Sequence, residues 1–107
     1  MSDAVLILTT AAGPDEAARI ATALVEERLA ACVQSAPVAS CYRWRGTIER
    51  ASEVQLQIKT LARAAAAVEA RIRALHSYAV PEVVVLPIAG GSAEYLAWIA
   101  ENVAGEG

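Results

Sequence analysis

The spacing of apolar side chains predicts one buried strand and three helices in separate segments of the chain. Residues 4–10 form a short, unbroken apolar run with branched side chains, which predicts a strand covered on both faces. Residues 14–30 and 62–75 repeat apolar side chains at the spacing of one helix face. Ser92 is a favourable N-cap, and residues 93–103 are predicted to form a last helix.

Elsewhere the spacing changes to every second residue, as in strands that have one buried face. Residues 32–45 and 54–60 alternate in this way, and Arg45-Gly46-Thr47 between them can turn the chain, which predicts a long hairpin. Residues 83–88 are an apolar strand in which Pro87 marks the end or an edge position. Four side chains are predicted to share one face of the first arm of the hairpin: Val38, Ser40, Tyr42 and Trp44.

The order β-α-β-β-α-β with a final helix predicts an α+β fold of the ferredoxin-like, split βαβ class over a single domain, residues 1–107. It has one antiparallel sheet with two helices on one face. The last strand is expected at an edge, beside the first. An apolar edge and a bare sheet face both invite cover, so the pattern predicts a homo-oligomer.

Composition narrows the classes of function. The chain of 107 residues is 56% apolar, has a mean hydropathy of +0.39 and carries 9 basic against 12 acidic residues. A net charge of −3 argues against nucleic acid as a partner. No run of 18 apolar residues predicts a membrane span, so no membrane partner is expected. The start of the sequence lacks a basic segment and a long apolar core, and the expected location is the cytoplasm.

Few residues are suited to catalysis or to metal binding. His76 is the only histidine, no GxSxG motif is present, and neither cysteine starts a predicted helix, so we expect no enzyme. Cys32, Cys41 and His76, with Glu82 as an oxygen donor, would suit copper or zinc. The alternatives are that each cysteine is a small buried apolar residue, and that His76 lies near the last carbonyls of a helix.

A second group of polar residues interrupts the apolar pattern and is expected to converge at one end of the sheet. Arg43 and Lys59 could bind an anion, while Trp44 and Tyr78 could stack on a ring. The alternative is that Lys59 pairs with Glu82 across an interface where the aromatic rings bury area. The candidate ligand-binding residues are Arg43, Trp44, Lys59, Tyr78 and Glu82.

Several motifs, in order along nearly the whole chain, resemble the CutA divalent-cation-tolerance family. The resemblance implies a ferredoxin-like subunit in a tight homotrimer similar to PII signalling proteins, and tolerance of divalent metals, chiefly copper. The motifs are Arg28-Leu29-Ala30-Ala31-Cys32-Val33, Tyr42-Arg43-Trp44-Arg45-Gly46, Ile58-Lys59-Thr60, Ala74-Leu75-His76-Ser77-Tyr78-Ala79-Val80-Pro81-Glu82 and Tyr95-Leu96-Ala97-Trp98.

The resemblance also places candidate copper ligands at Cys32 and His76. Thr9 and Leu75 stand where some members have a cysteine and a second histidine, so a copper site needs ligands from neighbouring subunits. We therefore predict a cytoplasmic, non-catalytic homotrimer that binds a divalent metal or small ligand in a cleft between subunits. The alternative is a structural or signalling scaffold trimer that binds a small anionic metabolite or a protein partner.

Overall fold

The computed structural model describes residues 3–105, and the predicted domain of residues 1–107 extends beyond them at both ends. The predicted order of elements is confirmed. A 3-10 turn at Ala62–Ala64 precedes the second helix. The elements are β1 (Ala4–Ala11), α1 (Pro14–Glu26), β2 (Cys32–Trp44), β3 (Thr47–Leu61), α2 (Ala65–Leu75), β4 (Val84–Pro87) and α3 (Ala93–Asn102).

The first helix ends four residues earlier than the prediction of residue 30. Arg28 takes a φ of 58°, which reverses the chain after Glu26. Its carbonyl accepts a hydrogen bond from Ala104 N at 2.8 Å, and its guanidinium donates to Glu101 O at 3.0 Å. Leu29 and Ala30 continue the apolar spacing of the helix in the sequence. In the structure they pack against the core from the turn that follows the helix.

The four strands form one antiparallel sheet in the order β2-β3-β1-β4. The last strand therefore lies at an edge beside the first, as predicted. β2 and β3 form the long hairpin, and Arg45 and Gly46 make its two-residue turn with φ values of 52° and 82°. Both φ values are positive, as a type I′ turn requires. Pro37 keeps a regular place in the ladder opposite Val54, because β2 is an edge strand and such a strand tolerates proline.

The two faces of the sheet are covered differently. On one face, Ile7 and Ile58 are fully buried beneath α1 and α2. Lys59 lies on the opposite face, where its Nζ is 3.2 Å from the Tyr95 hydroxyl of α3. Ile99 of α3 is also fully buried. The expectation of a bare second face was therefore wrong in part, because α3 packs across one end of it.

The edge strand β4 is apolar and half-exposed. Val84, Val85 and Leu86 are 43%, 44% and 42% exposed. Their unpaired edge and their side chains are the surface that the sequence predicted would need a partner. None of the helices within residues 3–105 has the length and hydropathy needed to cross a bilayer.

Candidate functional site

The loop after α2 is hydrogen-bonded to the end of β1. His76 follows α2 directly, and its Nε2 lies 2.6 Å from Thr10 O, so this nitrogen carries the proton and donates it. Its Nδ1 accepts the Tyr78 backbone N–H at 3.0 Å. The fully buried imidazole thus bridges β1 and the loop and holds residues 76–78 against the sheet.

Glu16 supports the same loop from the first turn of α1. Its carboxylate accepts hydrogen bonds from Ala12 N and Ser77 N, each at 3.2 Å, and lies 3.5 Å from His76 Nδ1. Burial raises the pKa of Glu16, but the hydrogen bonds from Ser77 and Ala12, with the charge of His76 when protonated, outweigh it. The net result is a pKa below the ordinary value of a glutamate, because the surroundings favour its ionised form.

Tyr78 links the loop to the hairpin through a side-chain hydrogen bond. Its hydroxyl donates to Glu53 Oε2 at 2.7 Å, and its ring lies 4.7 Å from the His76 ring. Burial, the bond to Glu53 and nearby negative charge raise the pKa of Tyr78 to about 12. Tyr78 is therefore a hydrogen-bond donor at neutral pH and joins the loop to β3.

A cavity of about 470 Å³ lies between this loop and the hairpin. Its walls combine aromatic rings, two carboxylates and small apolar side chains, and no Lys, Arg or His of the described residues lines it. Because both charged groups are acidic, the cavity favours a positive ligand. The lining residues are Thr10, Ser40, Cys41, Tyr42, Trp44, Glu53, Tyr78, Ala79, Val80 and Glu82.

Three of the five predicted ligand-binding residues line this cavity, namely Trp44, Tyr78 and Glu82. Arg43 does not, and its guanidinium donates to Gly46 O at the hairpin turn, 3.4 Å away. Lys59 lies at the other end of β3, where its Nζ is hydrogen-bonded to the Tyr95 hydroxyl. The five residues therefore do not converge at one end of the sheet within one chain, and a cleft between subunits that gathers them stays a prediction. An anion has no basic partner among the lining residues.

The predicted metal ligands lie apart within the chain. Cys32 stands opposite Lys59 on the sheet, and Lys59 stands opposite Leu6. Leu6 is four positions from Thr10, or about 13 Å along a strand. His76 meets Thr10 and uses both ring nitrogens there, so it bonds to a β1 carbonyl rather than to helix carbonyls.

No group of three or more His, Cys, Asp and Glu side chains in residues 3–105 is placed to hold a metal ion. Cys32 is partly exposed and Cys41 is exposed, and both thiols are free. The interpretation of the cysteines as buried apolar residues is therefore wrong.

Three residues of this site were not singled out from the sequence. Glu53 occupies one of the regular polar positions of β3 and gave no signal beyond that alternation. Glu16 falls in the first turn of the helix predicted from residue 14, where an acidic residue is common, and gave no other signal. Tyr42 did carry a signal, because it shares a strand face with Trp44.

Comparison with known proteins identifies the family. The sequence model of the family described as CutA1 divalent ion tolerance protein matches residues 5–102. The chain is 48% identical over 98 residues to the divalent-cation tolerance protein CutA of Thermus thermophilus, covering 91% of this chain and 95% of that protein. It is 45% identical over 102 residues to the protein of the same name from Pectobacterium atrosepticum, covering 92% and 91%.

Solved structures agree with the sequence relatives. The structure described as periplasmic divalent cation tolerance protein CutA from Archaeoglobus fulgidus matches with a TM-score of 0.92 and 40% identity, over 94% of this chain and 99% of that one. CutA from Xylella fastidiosa matches with a TM-score of 0.93 and 43% identity, over 96% and 100%. These matches confirm the α+β, ferredoxin-like fold and the resemblance drawn from the sequence motifs. The chain belongs to the CutA1 divalent ion tolerance protein family.

Proposed function

We propose that this protein binds a divalent cation, without catalysing a reaction, in the cavity between the hairpin and residues 76–82. The observation that carries the proposal is the charge of the cavity, which has carboxylates at Glu53 and Glu82 and no basic residue of the described chain in its lining. Cys41 adds a thiol to the same lining. Carboxylate and thiolate together suit copper or zinc, in keeping with the family's relation to divalent ions.

A single chain does not complete such a site, so we propose that assembly does. Structural zinc sites use four ligands and catalytic ones three, whereas residues 3–105 offer no cluster of three. The half-exposed apolar edge of β4 and the open part of the second sheet face give a second copy a place to bind. A homotrimer would cover these surfaces and turn the cavity into a cleft between subunits. There Cys32 and Cys41 are the candidate thiolate donors.

Calorimetric titration of the assembled, reduced protein with Cu²⁺ and with Zn²⁺ tests the proposal. The variant Glu82→Gln removes a charge from the cavity, and we expect its affinity for the ion to fall about tenfold, or about 1.4 kcal/mol. Glu94→Gln is the matched control, because Glu94 is an exposed glutamate of α3 outside the cavity lining. Equal affinity in the wild type and both variants would contradict the proposed site, and the absence of any binding would contradict the function.

A further inference from the structure

A buried carboxylate without a countercharge lies in the wall of the cavity. Glu53 is 8% exposed, and its Oε2 accepts the Tyr78 hydroxyl. No ion pair within the described residues involves Glu53. A neutral hydrogen bond replaces only part of the hydration that a carboxylate loses on burial, so such a group calls for a positive partner. The cavity that Glu53 lines is the space that can admit this partner.

Three aromatic rings also line the cavity, and a metal ion does not need aromatic rings as ligands. Tyr42 and Trp44 are two residues apart on β2 and so stand side by side on one face, while Tyr78 enters from the loop. The negative face of an aromatic ring attracts an ammonium group within about 6 Å of the ring centre. Hard divalent cations prefer oxygen ligands and their own water. Rings around a carboxylate therefore favour an organic cation.

The size and the apolar walls of the cavity agree with this ligand. Its volume of about 470 Å³ falls in the range of small-molecule sites, about 300–1,000 Å³, whereas one water occupies about 30 Å³. Ala79 and Val80 add apolar surface, and Val80 is 66% exposed. Covering that surface with alkyl groups of a ligand would be favourable, and a bare ion has none to offer.

We propose that the cavity binds a small organic ammonium ion. Its positive head lies near Glu53 and the rings of Tyr42 and Tyr78. Its alkyl part lies against Val80 and Trp44, because the Arg45 guanidinium already lies over the Trp44 ring, 5.4 Å from its centre. The inference rests on the cavity assigned under the proposed function, but it concerns a different class of ligand from the divalent cation.

Titration with butylammonium, with butan-1-ol as its neutral counterpart of similar shape, tests this inference by NMR on the assembled wild-type protein. We expect butylammonium to bind at least about tenfold more tightly than butan-1-ol. The indole N–H signal of Trp44 should shift with saturation, whereas that of Trp98, on α3 outside the lining, should not. Equal affinity for the two probes, or no saturable shift at Trp44, would overturn the inference.

Variants separate the roles of charge and ring. Glu53→Gln keeps the size of the side chain and an acceptor for Tyr78 but removes the charge, so butylammonium should bind about tenfold more weakly. Trp44→Leu should weaken it as well, and Trp98→Leu is the matched control. Trp44→Leu also decides the question if Glu53→Gln does not fold. Unchanged butylammonium affinity in Trp44→Leu would overturn the inference.

Zn²⁺ titration of the same samples distinguishes this inference from the proposed function. Trp44→Leu should leave Zn²⁺ affinity unchanged, because an indole ring is not a zinc ligand. Zn²⁺ binding without butylammonium binding would refute the ammonium inference alone. Butylammonium binding without Zn²⁺ binding would support it and refute the divalent-cation proposal.

Discussion

Glu16 and His76 show how two buried polar residues fix a loop that carries neither helix nor strand. The imidazole joins a β1 carbonyl to the backbone of Tyr78, and the carboxylate accepts the N–H of Ser77. The loop thereby gains the hydrogen bonds that its own backbone does not supply. One wall of the cavity thus depends on side chains that never contact the ligand space.

Replacing Glu16 should therefore weaken the fold in a pH-dependent way. The pKa of Glu16 is lowered in the folded protein, so its stabilising effect is present above the unfolded pKa and is lost as the pH falls through the folded pKa. Glu16→Gln should lower the free energy of unfolding by about 1–3 kcal/mol near pH 7. The difference from the wild type should shrink at acidic pH, which urea unfolding at constant protein concentration would measure.

The neighbouring carboxylate Asp15 provides the matched control for this experiment. It lies in the same helical turn but is exposed, so Asp15→Asn should change stability little at either pH. A stability loss in Glu16→Gln that is the same at neutral and acidic pH would show that the charge of Glu16 does not hold the loop.

Site residues were predictable from sequence where a short-range pattern determined their positions. Alternation along β2 placed Trp44 on one face, and the loop sequence marked Tyr78. Alternation gives the face of a residue but not its distance along a strand. Lys59 and Glu53 share a face of β3, yet six residues, or about 20 Å, separate them. Because of this distance, Lys59, which was predicted to lie at the site, lies away from the cavity. Glu53, which was not predicted, lies in the cavity lining.

At the scale of elements, the hairpin turn depends on the backbone conformation of one glycine. Gly46 has a φ of 82°, and nothing lies within 4 Å of a Cβ built there, so the backbone conformation alone penalises a side chain. Gly46→Ala should destabilise the protein by about 1–2 kcal/mol, the cost of left-handed backbone for an L-residue. Thermal or urea unfolding would measure it.

Gly90, whose φ is not positive, serves as the control for Gly46. Gly90 also has open space at the Cβ position but no positive φ, so Gly90→Ala should be neutral or slightly stabilising. Equal losses in the two variants would mean that the φ of Gly46 is not what limits the turn.

The sequence predicted the elements well because each depends on local periodicity, but it did not predict how α3 packs. The helix pattern of residues 93–102 shows an apolar side without showing which surface meets it. Two hydrogen bonds hold α3 across the second face. Lys59 Nζ donates to the Tyr95 hydroxyl, and Ala104 N donates to Arg28 O. These are contacts between residues 36 and 76 positions apart, which periodicity does not encode.

At the scale of the whole molecule, the exposed edge changes what a charge on β4 would do. From the sequence, this strand is an apolar edge that a second copy is expected to cover, so the charge of Val84→Asp would be buried only in the assembly. The structure leaves Val84 43% exposed in one chain. We therefore expect Val84→Asp to weaken self-association at least about tenfold while leaving the fold of the chain intact.

Light scattering after size exclusion, with circular dichroism of the same fractions, would measure this effect. Val25→Asp is the matched control, because Val25 is 44% exposed but lies on α1 near Val33 of β2, at the opposite edge of the sheet from β4. Dissociation in both variants, or in neither, would contradict the role of β4 in assembly. The cytoplasmic location and the number of subunits expected from the sequence stay predictions.

The long hairpin also bears on how the chain reaches its folded state. Its ladder runs from Trp44 opposite Thr47 to Cys32 opposite Lys59, so pairing can propagate outward from one two-residue turn. Contacts close in sequence form at a small cost in chain entropy and form early, whereas β4 must find β1 across some eighty residues. We therefore expect the turn at Arg45 and Gly46 to form early, as part of the folding nucleus. Gly46→Ala should slow refolding and leave the unfolding rate nearly unchanged, whereas changes in β4 should act mainly on unfolding.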